Sequence, residues 1–143
     1  YLGAKLSHAC VIRRCHDMLG DGRIHQSVFE AESGKIAFAK EHTDLHPFDF
    51  EGLEQVVQQL KENNTPVYFT IDLTVWIRLY FREQESEAGG VTFMQLLHAI
   101  RLVSETKIVG ADLNELAPML DQSGVSTATA CKVLRELLLS LKK

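Results

Sequence analysis

The chain has 143 residues, 45% of them hydrophobic and 24% charged, enough for one core in one domain. Fifteen Lys and Arg against nineteen Asp and Glu leave a net charge of −4, the wrong sign for a protein whose main partner is a phosphate backbone, which excludes nucleic acid as the expected partner. No window approaches the roughly 20 apolar residues of a membrane-spanning helix, and the first residues lack a signal-peptide pattern, so no membrane partner and a cytoplasmic location are expected.

Cys10, Cys15 and Cys131 are an odd number without a C-x-x-C pair. They predict neither a disulfide framework nor a zinc knuckle, but small core residues in a reducing compartment. A sequence opening on Tyr1 rather than Met is expected to be a piece of a longer chain.

Taken in chain order, Ala9, Ile12, Cys15 and Leu19 recur at spacings of three and four and predict a helix over Ser7 to Leu19, with Ser7 as N-cap and Gly20 as its stop. Leu53, Val56, Val57 and Leu60 predict a second helix over Phe50 to Asn63, ended by Asn63, Asn64 and Pro66. Val67 to Leu73 is β-branched and aromatic, too continuous for a half-exposed strand, and predicts a buried parallel one. Thr92 caps a helix over Phe93 to Glu105 with Leu96, Leu97, Ile100 and Val103 inward. Lys107 to Asn114 is a second buried strand, and Thr127 to Leu141 a last helix with Ala130, Val133, Leu134, Leu137 and Leu141 at helical spacing. Strands alternating with helices of this length predict an α/β three-layer α/β/α sandwich with a parallel sheet covered on both faces.

In such sheets ligands lie beyond the carboxyl ends of the strands. Asp72 ends the first strand and Glu115 follows the second. Paired carboxylates there suit a hard divalent cation or a cationic substrate. The plainer alternative is that Asp72 caps a loop and Glu115 is solvated. His42 and His46 are four apart, but Pro47 follows directly and breaks a common helical face, so both read as loop residues. His16, His25 and His98 have no convergent partners in the sequence, and Asp112 reads as a structural residue near a strand end, although an Asp and a Glu three apart can share a site.

Four strings carry a resemblance: Leu6 to Arg14, Val67 to Leu73, Glu87 to Thr92, and Ile108 to Pro118. In this order they resemble the carboxyl-terminal half of the agmatinases, in the arginase-like ureohydrolase family, with the likeness running from Tyr1 to Lys143 as half of a single domain. The resemblance implies an α/β/α enzyme with two manganese ions that hydrolyses a guanidino or amidino C–N bond, agmatine giving urea and putrescine. It also implies a small cationic guanidino substrate, a role in polyamine formation and a homo-oligomer. In such a site metals generate hydroxide near neutral pH by lowering the pKa of bound water. By resemblance Asp72 is a metal ligand, the first aspartate of a D-x-D-x-x-D-P segment. His8 is the histidine beside the site that shuttles a proton or contacts substrate. Glu115 pairs with the substrate guanidinium, for which a carboxylate is the natural acceptor. Guanidinobutyrase, formimidoylglutamase and arginase are neighbouring alternatives, and a non-catalytic α/β interaction module is an alternative of another class.

The likeness lapses twice. Thr74 to Ser86 stands where the family has further aspartates and a Pro-Gly-Thr-Gly loop, and Ser27 to Gly34 where it reads Phe-Gly-Ile-Arg-Ser-Gly. Trp76 has a single codon, so reading one nucleotide earlier joins its last G to the AT of Ile77 and gives an aspartate codon. The remaining shifted codons permit the missing motif, and the same shift through Ser27 to Glu32 permits the other. Compensated frameshifts are expected in both stretches; the alternative is a diverged loop in which Trp76, Leu79, Tyr80 and Phe81 pack as core or extend the strand. As written, the chain lacks the upstream ligands and has Thr74 at a ligand position, so it is expected to be inactive and not to hold a manganese pair tightly. The apolar run from Trp76 to Phe81 is expected to favour aggregation.

Overall fold

A computed structural model describes residues 4–27, 33–46, 50–75 and 90–142. The apolar run after Thr74 and the stretch after Ser27 that breaks the family pattern therefore lie largely outside the described residues.

The first predicted helix divides in two. A 3-10 turn at His8–Cys10 leads into α1 (Val11–Leu19). The Ser7 hydroxyl does not cap a helical N–H but reaches Cys10 Sγ at 3.2 Å. Gly20 stops the helix as expected, at φ +78°, with its N–H donating to the His16 carbonyl at 2.8 Å.

Three elements then appear that the sequence pattern did not reveal: β1 (His25–Ser27), α2 (Ser33–His42) and β2 (Asp44–His46). The strands are short and polar, and in α2 Ile36 to Ala39 is a contiguous run without a three-to-four repeat, so none has a periodicity to read. His42 and His46 are thus not loop residues; one closes a helix and the other a strand. Pro47 restricts only its immediate predecessor, and it disfavours helix, not strand, so His46 is free to extend.

After α3 (Leu53–Glu62), β3 (Pro66–Asp72) pairs in parallel with β4 (Lys107–Asn114), as β1 does with β2. Between them lies α4 (Phe93–Val103), started by the expected Thr92: its hydroxyl accepts from Gln95 N, and the Gln95 side chain accepts from the Thr92 N–H. The core forms where α4 and α5 (Val125–Ser140) cover one face of the β3–β4 pair. Ile71 and Leu73 pack with Val91, Leu96, Ile100, Ala130, Val133 and Leu137, flanked by Phe69, Ala111 and Leu113.

The other face corrects a sequence expectation. Tyr68, Thr70 and Asp72 are exposed, Tyr68 by 64%, so β3 is not buried on both sides. Tyr and Thr favour strands as much as Val and Ile do, and a β-former count misses the period-2 alternation of polar and apolar side chains. Parallel pairing and the helical layer on the inner face agree with the predicted α/β class. Of the cysteines expected in the core, Cys10 is buried, Cys15 half-buried and Cys131 exposed. Among the described residues no helix is long and apolar enough to cross a membrane.

The last helix begins two residues before its expected start because its anchor is remote. Asp121, buried, accepts from the N–H and hydroxyl of Ser126 at 2.7 and 2.6 Å through Oδ2, and from Ser123 N at 2.9 Å and the Ser123 hydroxyl through Oδ1. Hydrogen bonds from the Ser123 and Ser126 side chains, followed by the Ser126 backbone, hold its carboxyl far below the usual carboxylate range. A carboxyl depressed in the folded state adds stability that is complete above its unfolded value and is lost as pH falls toward its folded one. Asp121→Ala should therefore lower the melting temperature at neutral pH, and the steep loss of stability of the parent chain below about pH 4 should become shallower in the variant. Thermal melts followed by circular dichroism across that range check both.

Candidate functional site

The parallel register sets the geometry at the carboxyl end of the sheet. Thr70 pairs with Asp112 and Asp72 with Asn114, so Glu115 follows directly after the residue beside Asp72. Adjacent strands are about 4.8 Å apart, which puts both acidic residues at one edge. There the chain leaves the strand sharply: Glu115 has φ +63°, a left-handed conformation that costs a non-glycine residue about 1 kcal/mol or more.

Asp72 is exposed, and its Oδ1 accepts from the N–H and hydroxyl of Thr74 at 2.9 and 2.7 Å. This closes a turn of the kind a loop-capping aspartate makes. His8, exposed in the 3-10 turn, has no described contact with Asp72 or Glu115. The structure thus brings together two of the three residues singled out from the sequence.

Behind the edge lies a polar floor that sequence reasoning missed. Asp112 accepts from the Tyr68 hydroxyl at 2.8 Å through Oδ2, and from the Thr70 hydroxyl and Asn114 Nδ2 at 2.7 and 2.8 Å through Oδ1. The bond to Asp112 favours the neutral phenol and pushes the Tyr68 hydroxyl above its ordinary value. With both carboxylate oxygens engaged, Asp112 is structural, as expected. The period-2 run of polar residues at 68, 70 and 72 and at 112 and 114 was the available signal. Gly110 is part of the same floor: a Cβ there would lie 2.8 Å from the Tyr68 ring.

The other histidines correct an expectation. His16 and His25 do have convergent partners: His16 Nε2 lies 2.7 Å from Asp21 Oδ1, and His25 Nδ1 lies 2.8 Å from Asp44 Oδ2. The second pair follows from the β1–β2 register, which sets His25 opposite Asp44. His42 Nδ1 also reaches Asp21 Oδ1, at 2.9 Å. Hydrogen bonds from His16 and then His42 hold the Asp21 carboxyl below its usual value. The His25–Asp44 and His42–Asp21 links depend on fold contacts between segments that no local spacing encodes, whereas His16 and Asp21 are five residues apart.

The sequence that builds this parallel α/β layer matches a known family. The family model described as the arginase family covers residues 1–140, and the chain belongs to that family. It is 35% identical to the agmatinase of Bacillus subtilis over 150 residues, covering 100% of this chain and 51% of the relative. Among solved structures, a Clostridium difficile protein assigned as an agmatinase superposes with a TM-score of 0.90 at 35% identity, covering 99% of this chain and 52% of that one. The agmatine ureohydrolase of Thermoplasma volcanium does so with 0.84 at 26% identity, covering 99% and 50%. The chain spans about half the length of the relatives it matches.

Proposed function

We propose that the chain is the carboxyl-terminal half of an agmatinase-like hydrolase, one ureohydrolase domain when complete, that splits a guanidino C–N bond and converts agmatine to putrescine and urea in polyamine formation. The observation that carries this reading is the register that sets Asp72 beside Asn114, with Glu115 next in the chain; membership of the arginase family and the names of its relatives support it. Glu115 accepts the planar guanidinium N–H donors and neutralises their charge. His8 moves a proton at the reacting nitrogen, a role that fits its exposed ring. We place the enzyme in the cytoplasm, as a homo-oligomer.

The manganese pair of the complete enzyme is only partly provided for. Carboxylate oxygens suit manganese, and Asp72 is one such donor, but its Oδ1 is engaged by Thr74, which has no carboxylate of its own. Among the described residues, those at this edge do not fit a complete two-metal cage. The chain alone should therefore retain no stoichiometric manganese after desalting and release no urea from agmatine.

High-accuracy sequencing of the coding DNA from upstream of Tyr1 through Gly90 tests the reading. Upstream codons for the missing histidines and aspartates, with a restored frame after Asp72, support it. A gene that confirms every codon as written and encodes no such segment overturns it in favour of a non-catalytic scaffold.

A further inference from the structure

Away from the strand-end carboxylates, His16 in α1, Asp21 in the turn after it and His42 at the end of α2 converge. Their ligand atoms all lie within 4.8 Å of one another. We propose that these three side chains form a separate binding site for a borderline divalent cation of the zinc class, which clips α1 to α2.

The donor set selects the ion. Two imidazoles and one carboxylate suit zinc, nickel, copper or iron, whereas manganese prefers oxygen donors. Three protein ligands leave a fourth position for water. The three side chains already converge and need a local rearrangement to take an ion. Both ring nitrogens already point at the same oxygen, Asp21 Oδ1, at 2.7 and 2.9 Å. A tetrahedral ion with bonds of about 2.0–2.2 Å holds its ligands roughly 3.3–3.5 Å apart, so the oxygen moves out by about half an ångström and the two ring nitrogens, within 4.8 Å of each other, draw together to admit it.

The rings are also held in place. The Phe38 ring meets His16 edge-on at 5.1 Å and His42 at 4.5 Å, and the two imidazoles lie 4.9 Å apart. The His16 side chain is 16% exposed and that of His42 28%, while Asp21 is open at 70%, giving an ion a way in from solvent. Arg13, stacked 4.4 Å from the Phe38 centroid, is paired with Asp17 at 3.1 Å.

The second histidine cluster supplies an internal contrast. His25 and His46 approach Asp44 at its two different oxygens, 2.8 and 3.1 Å away, and so straddle the carboxylate without sharing a point.

Affinity follows from the outer partners. With Nδ1 bound to the ion, His42 presents its Nε2–H toward Glu41 Oε2, 3.9 Å away. His16 bound through Nε2 must carry its proton on Nδ1, which is buried and has no hydrogen-bond partner among the described residues. Loss of such an outer partner weakens metal sites about 10- to 100-fold. The site should therefore bind zinc less tightly than a closed structural one.

The test uses the full chain, titrated with zinc chloride by calorimetry and with cobalt(II) as a spectroscopic reporter. One zinc per chain is expected, with a cobalt d–d band typical of a low-coordinate nitrogen and oxygen site. Asp21→Asn and His42→Gln should each weaken zinc at least 10-fold, while Asp44→Asn should leave it unchanged. Circular dichroism of each variant identifies any that fails to fold, and the Asp21 and His42 substitutions give two independent routes to the same reading. No zinc bound at 100-fold excess over protein, or equal binding by folded Asp21→Asn and His42→Gln variants, overturns the proposal. So does binding lost in Asp44→Asn alone. None of these readouts depends on urea formation, so they are separate from the fate of the proposed hydrolase activity.

Discussion

In the complete gene product, Glu115→Gln should lower kcat/KM for agmatine about 10- to 100-fold. The expectation rests on what the carboxylate does and on where the fold puts it. Asn114 is locked beside Asp72 by the β3–β4 register, and the left-handed backbone at Glu115 turns the chain out of the sheet at the strand end. Glutamine keeps the size and one acceptor oxygen but loses the charge. A hydrogen bond to a charged group contributes about 1.5–3 kcal/mol, and every 1.4 kcal/mol is about a factor of ten. The loss should be larger for cationic agmatine than for a neutral amidino analogue, because only the cation is matched to the missing charge. Steady-state kinetics on both substrates check this. A glutamine variant with unchanged kcat/KM for agmatine would show that Glu115 is a solvated residue at a strand end.

Ile100→Ala should destabilise the chain by about 2–5 kcal/mol, the usual cost of a cavity left by a large apolar side chain. Ile100 is 0% exposed and packs in one cluster with Ile71 and Leu73, the residues on either side of Asp72. Folded proteins are stable by only about 5–15 kcal/mol, so the variant should lose a large share of its folded population under mild denaturant. Leu138→Ala, on a side chain that is 53% exposed, should stay within about 0.5 kcal/mol of the parent. Urea unfolding of the three chains, followed by circular dichroism, gives the comparison. Equal midpoints for the Ile100 variant and its parent would mean that α4 does not seal the sheet as described. The effect should also reach the proposed site, because the inner-face packing of Ile71 and Leu73 sets where Asp72 points from the opposite face.

The parts of the fold legible in the sequence are those whose signals are local. Gly20 stops α1 and the Thr92–Gln95 box starts α4 because a cap needs only residues a few positions apart. The inward stripe of α4 could be read for the same reason, as could Ala130, Val133 and Leu137 of α5, whereas Leu134 and Leu141 at the same spacing are exposed. The start of α5 was misread, since its anchor Asp121 lies four residues before Val125 and its role is clear only once Ser123 and Ser126 fold over it. The burial of β3 was misread because Tyr68 and Thr70 form strands well and still face out. β1 and β2 carry three residues each, too few for any period, and their pairing is a long-range contact. At the candidate site, Asp72 and Glu115 could be placed from strand ends alone. The floor around Asp112, and the meeting of His16 and His42 at Asp21, needed the register of a sheet and the packing of two helices.

The most direct test of the central claim is to purify the complete gene product, load it with manganese and assay agmatine, guanidinobutyrate, formimidoylglutamate and arginine side by side, with the 143-residue chain as a control. Urea and putrescine are expected in equal amounts from agmatine, with slower turnover of the other three and no turnover by the chain alone. Urea release by the chain alone, or no hydrolysis of any of the four by a folded, manganese-loaded complete protein, would contradict that claim.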